Sequence, residues 1–421
     1  FNGTTTITNS GTGRLRFSAT NGLPDDYNAD VNWIKNGTGI LQPSYNNTDT
    51  YSGDININTN VQIYFGQGGN GRVLMDGAGG DQDISDIGAS DIPLFRDLQV
   101  NKGTGNVNLN TPVEITVDLD LDNGIVNSTA TNIIYIRNNA IVSSVSNASH
   151  VDGPVEKIGN DAFIFPTGDS SLYRPIEMSA PTSGGARFRA EYINADPHPT
   201  YNHLSLDPTL DHISSCEYWT LDRIASTNNV VVTLSWDTPT SCGVTNVPDL
   251  VVARWDGAVW RDHGNGGTSG TAVSGTVSSA AAVTNFSPFT LASITNFNPL
   301  PIELIDFEAD LNQSVVDVKW RTASEINNDY FHVERSINGE HWEFVKEIDG
   351  AGNSTQTLYY EFVDEFPPDG TVYYKLRQTD YDDQFEEFSV KAVSLGMSDN
   401  DNCVLTIYPN PCPGNCRAKL T

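Results

Sequence analysis

A short phrase recurs near the start of this chain. Phe1-Asn-Gly-Thr-Thr-Thr-Ile7 is echoed 50 residues later by Tyr51-Ser-Gly-Asp-Ile-Asn-Ile57, and a Gly-punctuated apolar strand follows each copy. A brief strand returning at a fixed interval is the mark of stacked coils, each too small to bury its apolar edge except on its neighbour. The text that follows agrees: Val107-Asn-Leu109, Val113-Glu-Ile-Thr-Val117, Leu119-Asp-Leu121 and Ile133-Ile-Tyr-Ile136 are strands too closely spaced for helical crossovers. No segment sustains a 3.6-residue apolar period. Abundant Asn, Thr and Ser, with 36 Gly against 3 Met, favour turns and strands. The expectation is an all-β protein with a parallel β-solenoid over residues 1–147, a meandering sandwich being the alternative. A first coil with an open stacking face also leads us to expect more sequence before Phe1.

Two further domains are expected. Residues 148–296 carry Glu217-Tyr-Trp-Thr-Leu221, Val230-Val-Val-Thr-Leu-Ser-Trp236 and Val251-Val-Ala-Arg-Trp-Asp-Gly-Ala-Val-Trp260; the last reads as a hairpin about Asp256-Gly257. Residues 299–397 alternate Val316, Val318 and Trp320, then Phe331 and Val333, then Val372, Tyr374 and Leu376. A two-residue turn is expected at Asn338-Gly339. About seven short strands in about 100 residues is the pattern of an immunoglobulin or fibronectin type III sandwich.

Charge and motif content narrow the chemistry. A formal net charge of −30 repels phosphate backbones and anionic lipid, which argues against nucleic-acid binding and polybasic membrane contact. No apolar run is long enough to span a bilayer. There is no Gly-x-Ser-x-Gly elbow, no His-Glu-x-x-His and no phosphate loop. A solenoid lyase would need a basic residue, and Arg14, Arg16, Lys35, Arg72, Arg96, Lys102 and Arg137 are scattered. His198, His203 and His212, with Asp196, Asp207 and Asp211, form a Pro-rich stretch where a metal site would need several groups to converge. No cofactor is expected, except that Asp118, Asp120 and Asp122 are candidates for a structural Ca²⁺. An EF-hand would place Gly sixth and Glu twelfth; here Gly124 is seventh and Ala130 twelfth, so a corner after a strand is the main reading. Trp236 and Trp320 belong to cores, whereas Trp260 and Trp342, near hairpin turns, are candidates for exposed sugar-stacking rings.

The C-terminal residues 398–421 hold a linker and then Leu405-Thr-Ile-Tyr-Pro-Asn-Pro411 with Gly414. Alternation makes Leu405 to Tyr408 a strand, stopped by two prolines. This run, with Ile407, Tyr408, Pro409, Asn410 and Pro411 at its centre, resembles the opening of the C-terminal sorting domain of type IX secretion cargo in Bacteroidota. The run Trp320-Arg-Thr-Ala-Ser-Glu-Ile-Asn-Asn-Asp-Tyr-Phe-His-Val-Glu-Arg-Ser336 resembles the fibronectin-like module that precedes such domains. Residues 150–295 are similar to a β-sandwich module of Bacteroidota surface proteins, and Asn36-Gly-Thr-Gly39 and Leu119-Asp-Leu-Asp-Asn-Gly-Ile125 to their repetitive stalks.

The resemblance implies export through the type IX translocon and its shuttle proteins to the cell exterior. There a structural or adhesive, non-catalytic role is expected, with surface glycans or neighbouring cells as partners. Alternatives are the stalk of a polysaccharide-degrading enzyme with its catalytic part upstream, and a self-associating filament or matrix subunit. In a secreted chain five cysteines imply disulfides. Cys216 is expected to pair with Cys242, and Cys416 with either Cys412 or Cys403. Only 10 residues follow Pro411, so the sorting domain is expected to be present only as its entrance.

Overall fold

Alternation of inward and outward side chains builds the first sheet. Thr5–Asn9, Val31–Lys35 and Ile55–Thr59 bury Ile7, Val31, Trp33, Ile55 and Ile57 and turn Thr6, Asn32, Asn56 and Asn58 outward. These strands pair in parallel, Ile7 against Trp33 and Trp33 against Ile57. The ladder continues through Gln82–Asp86, Val107–Leu109, Val126–Asn127, Val151–Asp152 and Thr167–Asp169. Between visits to this sheet the chain crosses to a second parallel ladder: Asp26–Tyr27, Thr48–Tyr51, Arg72–Met75, Leu94–Asn101, Val113–Asn123, Ile134–Ile136 and Val155–Ile158. The protein is therefore all-β, 55% strand and 1% helix, with a solenoid of about 6 turns.

This computed structural model describes residues 1–421 except 20–22, 60, 67–68, 89–90, 199, 238–240, 242–243, 296–297, 299–303, 323–324, 355–356, 381–384, 389, 396–404, 409–416 and 421. At 326–327, 353, 380, 386, 405–408 and 417–420 it describes the backbone alone.

The 50-residue echo spans two coils. Contacts between adjacent coils, such as Asn28 to Asn2 and Asn108 to Asp83, span 26 and 25 residues. The coil between the two copies presents Tyr27 where they have Phe1 and Tyr51, and the three rings stack at 4.9 and 4.8 Å. It carries Ala29 in place of glycine and Trp33 in place of isoleucine, which hides the repeat from inspection. Gly53 is needed because a Cβ there would lie 2.3 Å from the Ala29 carbonyl carbon and the Asp30 nitrogen.

After Val155–Ile158 the second sheet turns antiparallel. Arg187–Ile193 pairs with that strand and is followed by Tyr218–Ala225, Phe289–Ser293, Leu250–Trp255 and Trp260–Asp262. A separate antiparallel sheet is formed by Phe163–Phe165, Ile176–Met178, Val232–Asp237, Ser274–Ser278 and Gly267–Gly270. One apolar core runs from Ile7 to Leu291, and residues Phe1–Leu300 form one compact unit. The division expected at 147 thus falls inside a continuous sheet, because Val151–Asp152 and Val155–Ile158 still stack as solenoid strands.

Asn298 ties the end of this unit down. It is 2% exposed with φ +67, a left-handed backbone that Asn tolerates better than most residues. Its Oδ1 accepts from the Thr245 and Asn246 amides at 2.8 and 2.6 Å, its Nδ2 donates to the Asn246 carbonyl at 3.0 Å, and its own carbonyl meets His212 at 2.8 Å. Asn298→Ala orphans both amides and is expected to destabilise this unit by about 2–4 kcal/mol, read as a lower denaturant midpoint. An unchanged midpoint would show that water replaces the side chain.

The second compact unit begins at Pro301. One sheet holds Leu304–Asn312, Val315–Thr322 and Leu358–Asp364; the other holds Glu343–Ser354, Glu325–Ser336, Gly370–Asp380, Phe385–Glu387 and Lys391–Leu395. Phe307, Val316, Val318, Trp320, Phe331, Val333, Val372, Tyr374, Leu376 and Val393 form their shared core. The Asn338-Gly339 connection differs from the expected two-residue turn. Arg335 pairs with Glu343, so the loop is longer, and Asn338 Oδ1 closes it by accepting from the Glu340 and His341 amides. Leu405–Tyr408 pairs antiparallel with Arg417–Leu420.

Candidate functional site

The outward side chains of the first sheet form rows across the coils. One row is Thr6, Asn32, Asn56 and Ser85; the adjacent row, two residues along, is Thr8, Ile34 and Asn58, followed by Ile87 just past the strand Gln82–Asp86, its amide donating to the Ile57 carbonyl at 3.0 Å. In parallel pairing such rows repeat at the strand spacing of about 4.8 Å. Between them lies a groove of about 320 Å³ lined by Thr6, Asn32, Ile34, Asn56, Asn58, Ser85 and Ile87. Asn32 Nδ2 reaches Thr6 Oγ1 at 3.4 Å, while Asn56 and Asn58 make no side-chain hydrogen bond among the described residues. Ile87 is 80% exposed. A third row borders the groove with Asp30, Asp54 and Asp83, whose carboxylates each accept from the next coil: the Asp54 amide donates to Asp30 at 3.1 Å, the Asp83 amide to Asp54 at 2.9 Å and the Asn108 side chain to Asp83 at 3.0 Å. Burial, chiefly, and the neighbouring Asp30 and Asp83 raise the Asp54 carboxyl above its ordinary range. The face offers neutral donors and acceptors beside apolar Ile34 and Ile87, with carboxylates along one side.

A second polar cluster lies inside the antiparallel part. Glu217 is 0% exposed; Tyr192 Oη donates to its Oε2 at 2.9 Å, and Arg174 Nε is 3.6 Å from the same oxygen. Burial pushes the Glu217 carboxyl up to about 7, against the lowering effect of Ser241, Arg174 and Tyr192. Arg174 donates to the Tyr173 and Asp237 carbonyls at 2.8 and 2.9 Å. A cavity of about 300 Å³ beside it is lined by Asn147, Tyr173, Trp236, Asp237, Ser274 and Thr276, among others. Trp236 is 2% exposed there, because Gly275 packs on its ring: a Cβ at 275 would lie 2.4 Å from Cζ2. The cavity thus has no aromatic platform from Trp236, and Glu217 is sealed from solvent. This cluster holds strands together.

The residues singled out from sequence fare differently. Trp260 is buried, contrary to expectation, because the histidine-bearing loop folds over it. Trp260 N donates to the Ser205 carbonyl and Asp207 N to the Trp260 carbonyl, both at 2.8 Å, and Leu210, Ile213, Val251, Ala253 and Ala292 pack around the ring. Trp342 is half-buried, with Lys375 Nζ 4.7 Å from its ring centre, so a cation already occupies one face. Asp118, Asp120 and Asp122 lie along the strand Val113–Asn123, with Leu119 and Leu121 turned into the core between them. A strand cannot wrap a Ca²⁺, and Arg72 already reaches Asp118 at 3.5 Å and Asp120 at 3.1 Å, while Asp122 accepts from Gln99 at 2.7 Å. Gly124, with φ +95, makes the expected corner.

The His198 and His203 rings lie 4.6 Å apart, tilted by 39°, with Asp196 3.9 Å from His203, but His212 pairs with Asp211 at 2.8 Å and Asp207 faces Arg261 at 3.5 Å. No group of three or more His, Cys, Asp or Glu suited to a metal ion occurs among the described residues. Of the basic solenoid residues, Arg96 pairs with Asp97, Arg137 with Glu114, and buried Lys102 donates to the Gly77 carbonyl and Gln82, each at 2.9 Å. Cys216 is disulfide-bonded; Cys242, Cys403, Cys412 and Cys416 lie outside the described residues. So do Pro409, Asn410, Pro411 and Gly414, whereas Leu405, Ile407 and Tyr408 lie in the strand Leu405–Tyr408. Sequence reasoning missed the asparagine rows and the Arg174–Glu217 pair. The rows had a signal: Asn32, Asn56, Asn58, Asn108 and Asn127 each neighbour an inward apolar residue.

No family model matches the chain, and no curated protein matches it either. Among solved structures, a β-1,2-glucanase from Parabacteroides distasonis is similar at 13% identity and a TM-score of 0.17. The match covers 58% of this chain but 37% of that enzyme, and a likeness at that score carries no argument about fold or chemistry. Among the described residues no helix is long and apolar enough to cross a membrane.

Proposed function

We propose that this chain is a structural and adhesive protein of the cell exterior, exported by the type IX route and without an active site of its own. The observation that carries the reading is the solenoid face. Successive coils present rows of neutral amides and hydroxyls at a fixed spacing, suited to holding an extended surface rather than to converging on one reacting bond. The titratable groups support it: Glu217, the carboxyl raised to about 7, is sealed from solvent, and several basic solenoid residues are committed to internal pairs. A strand from Leu405 that ends before Pro409 and pairs with Arg417–Leu420 favours the entrance of a sorting domain. The two antiparallel sheets after Pro301 favour a fibronectin-like module before it.

Antibodies against residues 1–300 are expected to label intact cells, to lose that labelling when the type IX translocon is disabled, and to find the purified chain on untreated cells to which it is added. Labelling only after lysis contradicts the export. Release of reducing ends from a glycan panel by the purified chain contradicts the non-catalytic reading.

A further inference from the structure

The outward rows of the first sheet have a chemistry that selects a ligand. Asn side chains offer a donor and an acceptor each, and those of Asn56 and Asn58 have no partner among the described residues. Ile34 and Ile87 flank Asn58 in its row, the second of them 80% exposed. No Lys or Arg lines the groove, and Asp30, Asp54 and Asp83 run beside it. A phosphate, sulfate or uronate would meet like charge there, in a protein whose net charge is already −30. A basic peptide finds less than the count of acids suggests, since Asp30 and Asp54 each accept a backbone amide of the next coil. What remains is a ligand rich in hydroxyls that both donate and accept, with apolar C–H faces and no charge.

Resting on the adhesive reading above, we propose that this face binds a neutral polysaccharide. One chain lies across the coils with its hydroxyls hydrogen-bonded to Asn32, Asn56 and Asn58 and its sugar faces against Ile34 and Ile87. The groove volume, about 320 Å³, is within the range of small-ligand sites, and the row that lines it runs across four coils from Thr6 to Ser85. A polymer gains from that continuity because each further sugar meets another rung without new ordering of the protein.

The test is affinity electrophoresis of the full chain in gels containing hydroxyethyl cellulose, xylan, galactomannan or laminarin, with polygalacturonate as the anionic probe. At least one neutral polymer is expected to retard the protein, and polygalacturonate to leave it unretarded. The triple variant Asn32→Ala, Asn56→Ala, Asn58→Ala is expected to weaken the interaction about tenfold or more, as the loss of three hydrogen bonds requires. Gln99→Ala, on the other parallel ladder, is expected to bind as the parent does. Matching melting curves establish that the triple variant folds; should it not, Ile87→Asp is read in its place and is expected to abolish retardation. Retardation by none of the neutral polymers, undiminished binding in the folded variant, or stronger binding to polygalacturonate overturns the proposal. If the purified chain still coats cells in any of those cases, this site assignment fails while the adhesive reading stands.

Discussion

Replacing Trp33 by alanine is expected to remove about 3–5 kcal/mol from the stability of the first unit. The indole is 0% exposed and stands at the meeting point of three coils: Phe17 lies 5.1 Å from it, Tyr27 6.0 Å and Phe65 6.2 Å, all edge-on. Its backbone neighbours in the ladder are Ile7 and Ile57, so collapse of the void would have to bend two adjacent strands. The indole nitrogen is buried with no hydrogen-bond partner among the described residues. Trp33→Phe therefore keeps most of the ring contact and removes an unsatisfied donor, and its expected cost is below about 2 kcal/mol. Denaturant unfolding of both variants checks the pair. Because stacked coils can lose cooperativity, hydrogen exchange at Thr5–Asn9 and Ile55–Thr59 should accompany it. Equal costs for the two substitutions would show that the ring does not fill this core.

The second large effect is at Arg174. Its side chain is 3% exposed, and it supplies the positive charge beside the sealed Glu217 carboxyl. Arg174→Met removes that charge, so that Glu217 keeps its proton even at pH 8, and is expected to cost about 2–3 kcal/mol there. At pH 5 Glu217 holds its proton and the cost should fall to about 1–2 kcal/mol. The pH dependence of the parent has the same origin. Glu217 titrates at about 7 in the folded chain against an ordinary 4.5, so across that window the native state holds a proton that the unfolded chain has released. Stability through this group is therefore full below about 4.5 and declines as pH rises to about 7, by on the order of 3 kcal/mol. His150 and His263, both lowered chiefly by burial, act in the opposite sense below their ordinary 6.5. The comparison with Glu217→Gln isolates the carboxyl: the variant is expected to lose the decline between pH 5 and 8, and Arg174→Met is expected to cost the same at pH 5 and pH 8 in the Glu217→Gln background. A variant with the parent's pH slope would place the titrating group elsewhere.

Much of the architecture is legible in the sequence. The period-two alternation in Ile55-Asn-Ile-Asn-Thr59 and the crowding of short strands around 107–136 left little room for helix, and a faint echo pointed to coils. The repeat length was not legible, since a coil needs only an aromatic at one corner and a large apolar residue in the strand. Tyr27 and Trp33 satisfy that need without resembling Phe1 and Ile7. The division at 147 failed for a related reason. Nothing local marks the change from parallel to antiparallel pairing between Val155–Ile158 and Arg187–Ile193, which depends on where the later strand returns.

The side-chain roles were less legible still. Trp260 beside a tight turn read as exposed, yet the loop from 195 to 213 supplies Leu206, Leu210 and Ile213 as a cover. That same covering explains why His212 does not join His198 and His203: the loop's backbone is spent on Ser205, Asp207 and Asp211 contacts with two strands, and His212 pairs with Asp211 and the Asn298 carbonyl. The aspartates at 118, 120 and 122 share one face of a strand by simple alternation, and only the neighbouring coil reveals that Arg72 lies among them. Asparagines in Val31–Lys35 and Ile55–Thr59 looked like turn formers by composition; stacking converts them into rows.

The claim that those rows are the working surface is tested most directly by hydroxyl-radical footprinting of the full chain with and without the neutral polysaccharide that retards it most. Ile34 and Ile87 are expected to lose reactivity together on binding, while Ile141 and Ile164, exposed elsewhere in the same unit, keep theirs. Unchanged reactivity at Ile34 and Ile87 with protection at Tyr173 and Pro175, beside the Arg174 cavity, would contradict the account and move the binding site to the antiparallel part of the unit.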